Sequence, residues 1–138
     1  MNFKSWLAEN FFQGAGIYVT TPRGKETYSV EKLAKWAAQN IKPQNVTIDW
    51  LKNNISDTPG SGYTALHTDL NELPQEGTDE YARSMQSNTK YPILIVKEAG
   101  ETWVGDGNHR IMKARLTGQN QLPAYIIDAS QIPAPNEL

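Results

Sequence analysis

Residues 91–128 read YPILIVKEAGETWVGDGNHRIMKARLTGQNQLPAYIID, and the fold class follows from them. Residues 92–97 (PILIVK) form a strongly apolar run of strand length. Glu98 to Glu101 (EAGE) is a short hairpin loop in which Gly100 can supply a positive φ. Thr102, Trp103 and Val104 make the returning strand. The stretch Gly105-Asp106-Gly107-Asn108 then turns the chain into a helix over about residues 108–117, and Gly118 is a natural stop just past its end. Residues 122–128 (LPAYIID) are a last strand. Strand, hairpin, helix and strand in that order predict a mixed α/β (α+β) domain, a small mixed sheet flanked by helices.

Upstream, Thr78 can cap a helix over residues 79–87, with Asp79 and Glu80 in its first turn and Tyr81 and Met85 facing the core. Residues 53–77 hold Pro59, Gly60, Gly62, Pro74 and Gly77 and read as a long loop. Extended to residue 82, the stretch carries six acids (Asp57, Asp69, Glu72, Glu76, Asp79, Glu80) and no Lys or Arg. It reads as a solvated acidic loop, with a lid, a metal-binding loop around His67 and Asp69, or a contact surface for a protein partner as the functional alternatives. Val46, Ile48 and Trp50 alternate with Thr47 and Asp49, which predicts a half-buried strand over residues 46–51. Ser29 caps a helix over residues 30–40, whose Val30, Leu33, Ala34, Ala37 and Ala38 follow helical spacing. Residues 17–20 read as a strand, Pro22 to Lys25 as a turn, and residues 3–12 as a short helix with Phe3, Trp6, Leu7 and Phe11 on one stripe. The expected organisation is a helical extension over residues 1–44, a domain over 45–128 and a flexible tail over 129–138.

Composition narrows the function classes. The 138 residues are 38% hydrophobic with a formal net charge of −2, so the chain as a whole is not a strongly basic nucleic-acid binder. It has no cysteine, which excludes disulfides, thiolate metal sites and Cys nucleophiles. No apolar run approaches the roughly 18 residues of a membrane span. Lys4, Glu9 and Asn10 interrupt the apolar N-terminus, which therefore does not read as a signal peptide. The expectation is a cytoplasmic protein with no membrane partner.

The chemistry concentrates in Gly105-Asp106-Gly107-Asn108-His109-Arg110, between a predicted strand and a predicted helix. Two glycines permit close backbone approach, and the first turn of a helix offers unpaired N–H groups and a positive dipole end. Together these favour an anion, most often phosphate. Arg110 adds a planar fork suited to phosphate oxygens, and His109 a general acid or base. Asp106 is the candidate to hold a divalent cation such as Mg²⁺ or to orient water. Asn108 can cap the helix. The bland alternative is a turn in which Asp106 and Asn108 only cap and His109 only packs.

The segment from Tyr91 to Asp128 resembles the ParB/sulfiredoxin superfamily. The marks are Pro92-Ile93, the Gly105–Arg110 box with its D-G-x-H-R core, Gly118 and Leu122-Pro123, with Val46–Leu51 resembling the opening strand. The resemblance implies phosphate binding by Gly105, Gly107, Asn108, His109 and Arg110, with a nucleotide or a nucleic-acid backbone as the ligand. It also implies Asp106 and His109 as catalytic groups in phosphoester or phosphoanhydride hydrolysis of nuclease or NTPase type. Sulfiredoxin chemistry is excluded because Asn108 stands where that family has Cys. The partition proteins carry a downstream DNA-reading domain, whereas this sequence runs only ten residues past the last predicted strand. The free-serine kinases of the superfamily share the box but use a Glu just after the opening strand, where Asp49 is the only acid here. The alternatives are such a small-molecule kinase, or a non-catalytic accessory module that uses the acidic loop.

Overall fold

In the computed structural model, residues 16–138 are described. The helix expected over residues 3–12 lies outside them. Strand β1 (Gly16–Thr21) and β2 (Gly24–Ser29) form an antiparallel hairpin. Helix α1 (Val30–Asn40) follows directly, with the Ser29 side chain accepting from Lys32 N and Glu31 in the first turn. Val30, Leu33, Ala34 and Ala37 are its buried stripe, while Ala38 faces out. Strand β3 (Gln44–Thr47), helices α2 (Ile48–Asn54), α3 (Tyr63–His67) and α4 (Asp79–Gln86), strands β4 (Ile93–Glu98) and β5 (Glu101–Asp106), helix α5 (Asn108–Thr117) and strand β6 (Gln121–Asp128) complete the order.

The main sheet has the order β3-β6-β4-β5. β3 runs antiparallel to β6, β6 parallel to β4, and β4 antiparallel to β5. The parallel β4–β6 pair requires a crossover, and β5 with α5 supplies it. The fold is thus the mixed α+β class that the sequence predicts. Period-two alternation sends Leu94, Val96, Tyr125 and Ile127 to one face and Ile93, Ile95, Leu122 and Ala124 to the other. Both faces are covered, which is why the ILIV run is apolar without a break. The first face packs on the β1–β2 hairpin and α1, the second on α2, α3 and α5. The β4–β5 turn places Ala99 at φ 46° and Gly100 at φ 80°, the pair of positive angles a tight hairpin of this twist requires.

Four expectations are corrected. Residues 48–51 are helical, because the Thr47 side chain accepts from Trp50 N and caps α2, leaving Leu51 and Ile55 to bury in the core. Residues 53–77 are not solvated throughout: Ile55, Ala65, Leu66 and Leu73 sit in the second core cluster, while Asp57, Asp69, Glu72 and Glu76 stay exposed. The tail does not fray, since Ile132 is 1% exposed and two carbonyls there are held, Ile132 O by Arg23 Nη2 at 2.7 Å and Pro133 O by the Tyr28 hydroxyl at 2.8 Å. No gap in packing separates residues 16–44 from the rest, because Val19, Tyr28 and Leu33 share a core with Leu94 and Ile127.

Candidate functional site

The Gly105–Arg110 box lies at the junction of β5 and α5, and a β-bulge begins it. Leu94 pairs with Asp106 while Ile95 pairs with Val104, so Gly105 is the extra residue. The bulge re-aims Asp106. Gly107 follows at φ 121°, and a Cβ there would stand 2.4 Å from Ile93 Cγ2. Only glycine fits, because both the backbone angle and the space forbid a side chain. Gly107 is also the N-cap of α5 and offers no side-chain cap, so the first helical bond closes from Ile111 N to Gly107 O at 3.0 Å.

Arg110 does not face outward. It is 1% exposed. Its Nη2 donates to Asp106 Oδ2 at 2.8 Å, and its Nη1 donates to Pro92 O at 2.8 Å and Tyr91 O at 3.2 Å. The fork therefore ties α5 to the end of β5 and the start of β4. Burial pushes the Asp106 carboxyl up to about 6, against the pull of the Arg110 charge, and burial brings Arg110 down to about 10. At neutral pH the two still form an ion pair. The other basic residues of α5 are anchors as well. Lys113 Nζ donates to Ser87 O at 2.8 Å, and Arg115 Nη1 donates to Thr68 O at 2.6 Å and Ala65 O at 3.3 Å. These contacts occupy the Arg110 fork and the charged ends of Lys113 and Arg115 within the protein.

Residues 56–63 form a strap along the outer edge of β5. Ser56 N donates to Thr102 O at 2.8 Å, Thr102 N donates to Ser56 Oγ at 3.2 Å, and Val104 N donates to Ser61 O at 2.8 Å. The strap thereby pairs the edge of β5. Gly62, at φ 84°, presses on the box: a Cβ there would lie 2.7 Å from Asn108 Oδ1 and 2.8 Å from Val104 Cβ. Between the strap, α4 and α5 opens a cleft of about 570 Å³. Asp57, Thr58, Ser61, Tyr63, Glu80, Asn108 and Met112 are among its walls. That is ample for a small ligand.

Of the residues of the Gly105–Arg110 box, Asn108 alone lines this cleft, together with Asp57 and Glu80 of the acidic stretch. His109 stands beside it, half exposed, with Nε2 3.4 Å from Glu80 Oε1. Its carbonyl accepts from the Ser87 hydroxyl at 3.2 Å. Sequence reasoning missed Glu80, Asp57, Thr58 and Ser61, having read Glu80 as a helix-dipole acid and Gly60 and Gly62 as loop punctuation. A strap that packs Gly62 against a second glycine-rich turn leaves no local signal of the contact.

Asp106, the residue singled out for a divalent ion, has its Oδ2 committed to Arg110. Among the described residues no group of three or more His, Asp or Glu is placed to hold a metal ion. His67 of the H-x-D pair stacks on Tyr63, with ring centroids 3.8 Å apart. Asp49 lines a separate cleft beside Gly118 and Asn120, past the C-terminal end of α5. The ten residues of that helix rise about 15 Å. Asp49 therefore lies toward the far end of α5 from the box. Among the described residues no helix is long and apolar enough to cross a membrane. Compared with protein-family models, curated proteins and solved structures, the chain matches none.

Proposed function

We propose that this chain binds a phosphate-bearing ligand of nucleotide size, with the phosphate over the first turn of α5, and hydrolyses a phosphoester or phosphoanhydride bond in it. One observation carries the reading: α5 begins at a glycine with no side-chain cap, and its first residue, Asn108, lines a cleft of about 570 Å³. Backbone N–H groups at such an end attract phosphate oxygens. The resemblance of the box to the ParB/sulfiredoxin superfamily supports the same ligand class.

The assignment of roles differs from the one read in sequence. Arg110 and Asp106 hold the turn in shape. The amides of the first turn of α5 and the Thr58 hydroxyl meet the phosphate oxygens. Glu80 is the carboxylate on the ligand's side, with His109 behind it. Water attacks phosphorus and gives its proton to Glu80; the P–O bond to the leaving group breaks, and the leaving oxygen takes a proton from solvent.

Calorimetric titration with nucleotides, beside a hydrolysis assay on labelled substrate, tests this. Glu80→Gln should retain binding and lose roughly 10²- to 10⁴-fold in turnover, the usual contribution of a general base. A folded protein that binds no phosphate compound refutes the reading. A second reading, binding without chemistry, is favoured by the mutual engagement of Asp106 and Arg110, which leaves neither for a substrate. It also gives a use to the exposed acids Asp57, Asp69, Glu72, Glu76, Asp79 and Glu80 as a partner surface. Tight binding with no turnover would select it.

A further inference from the structure

Any phosphate ligand must meet the charges of the cleft, and these have one sign. Its charged wall residues are Asp57 and Glu80. No Lys or Arg is among them; the cations of α5 are engaged elsewhere, Arg110 with Asp106, Lys113 with the Ser87 carbonyl and Arg115 with carbonyls of α3 and Thr68, and Arg83, exposed one turn along α4 from Glu80, does not line the cleft. His109 is already beside Glu80. What remains for an anion is hydroxyls and the helix end, whose dipole amounts to about half a positive charge.

We infer that Asp57 and Glu80 are specificity-determining residues, a charge filter that admits an ester with a single phosphate charge and rejects polyphosphates. The inference rests on the phosphate reading above and narrows it. A half charge can balance one negative charge. It cannot balance three or four while two carboxylates face the same space. Each negative charge about 7 Å from a carboxylate is disfavoured roughly three- to sevenfold at effective dielectric constants of about 80 to 40. The extra charges of a triphosphate multiply that factor. The ligand chemistry is therefore a phosphodiester monoanion. A free dinucleotide suits it better than a long strand, because the chain's net charge of −2 and its acidic stretch repel the flanking phosphates of a strand.

The test is calorimetric titration of the full chain with a dinucleoside monophosphate, a nucleoside triphosphate and a single-stranded 12-mer, in chelator and again with magnesium. The expected order is dinucleotide tightest, by at least tenfold over the triphosphate at low salt, with the gap narrowing as salt rises. In the double variant Asp57→Asn, Glu80→Gln, both positions being exposed, both ligands should gain affinity, the triphosphate at least tenfold more than the dinucleotide. A triphosphate that binds wild type more tightly than the dinucleotide overturns the filter and leaves the phosphate reading standing. Affinity that grows with strand length overturns the small-ligand assignment. No binding by any of the three overturns filter and phosphate reading together.

Discussion

Replacing Arg110 by Ala separates the arginine that sequence places on a ligand from the arginine that the fold buries. Arg110 is 1% exposed and donates to one carboxylate and two backbone carbonyls. Its removal leaves the Asp106 carboxylate, only a quarter exposed, without its counter-charge. Breaking a buried ion pair from one side costs about 3–5 kcal/mol, and the stranded carbonyls fall within the same range. For a chain of this length the loss corresponds to a fall in Tm of roughly 10–20 °C. The cost also depends on pH. The folded-state pKa of Asp106 is raised to about 6, so the folded protein holds the extra proton in a window from about 4 to 6, and stability from this group declines as pH rises through it. Without Arg110 the carboxyl rises further. The variant's deficit should therefore be smaller at pH 5 than at pH 8. Thermal and urea melts of both proteins at the two pH values measure it. Arg110→Lys should rescue only part, because an ammonium cannot span the three acceptors. A variant that melts within 3 °C of wild type yet loses phosphate binding would refute the anchor assignment.

Gly107→Ala should destabilise by about 2–4 kcal/mol, from a positive φ and the approach to Ile93, as read by urea denaturation. Tyr28→Phe removes the hydroxyl that holds Pro133 O and should cost about 0.5–1.5 kcal/mol, with faster proteolysis of the last ten residues as the specific readout. Thr47→Ala should cost about 0.5–2 kcal/mol by uncapping α2; no change would restore the strand reading of residues 48–51.

The elements after residue 90 were legible because each signal is local. The ILIV run, the Gly100 turn, the glycine before Asn108 and Gly118 act on their own neighbours, and α5 runs over Asn108–Thr117 as the punctuation predicts. Ile48–Asn54 was misread because Val46, Ile48 and Trp50 satisfy a two-residue period. Ile48, Leu51 and Ile55 fit the helical spacing equally well, and the Thr47 cap decides between them. The acidic stretch was misread because charge dominates its composition, although four apolar residues in it, Ile55, Ala65, Leu66 and Leu73, are buried and only Leu70 among its leucines and isoleucine is exposed.

The sequence by itself determined the class of the fold, the strand–turn–helix at Gly105–Arg110 and the exclusion of thiol chemistry, but it offered Asn108 as the cap of α5, whereas the cap is Gly107 and Asn108 is the first helical residue. Tertiary structure decided which way each charged group of that turn points. A guanidinium five bonds from its backbone can swing to solvent or to the interior, and only the positions of the Tyr91 and Pro92 carbonyls, which come from another strand, send Arg110 inward. Tertiary structure likewise put Glu80 beside His109, twenty-nine residues apart along the chain, because α4 packs on α5. Local spacing sets backbone conformation, whereas side-chain partners are chosen by long-range packing that no window of sequence contains.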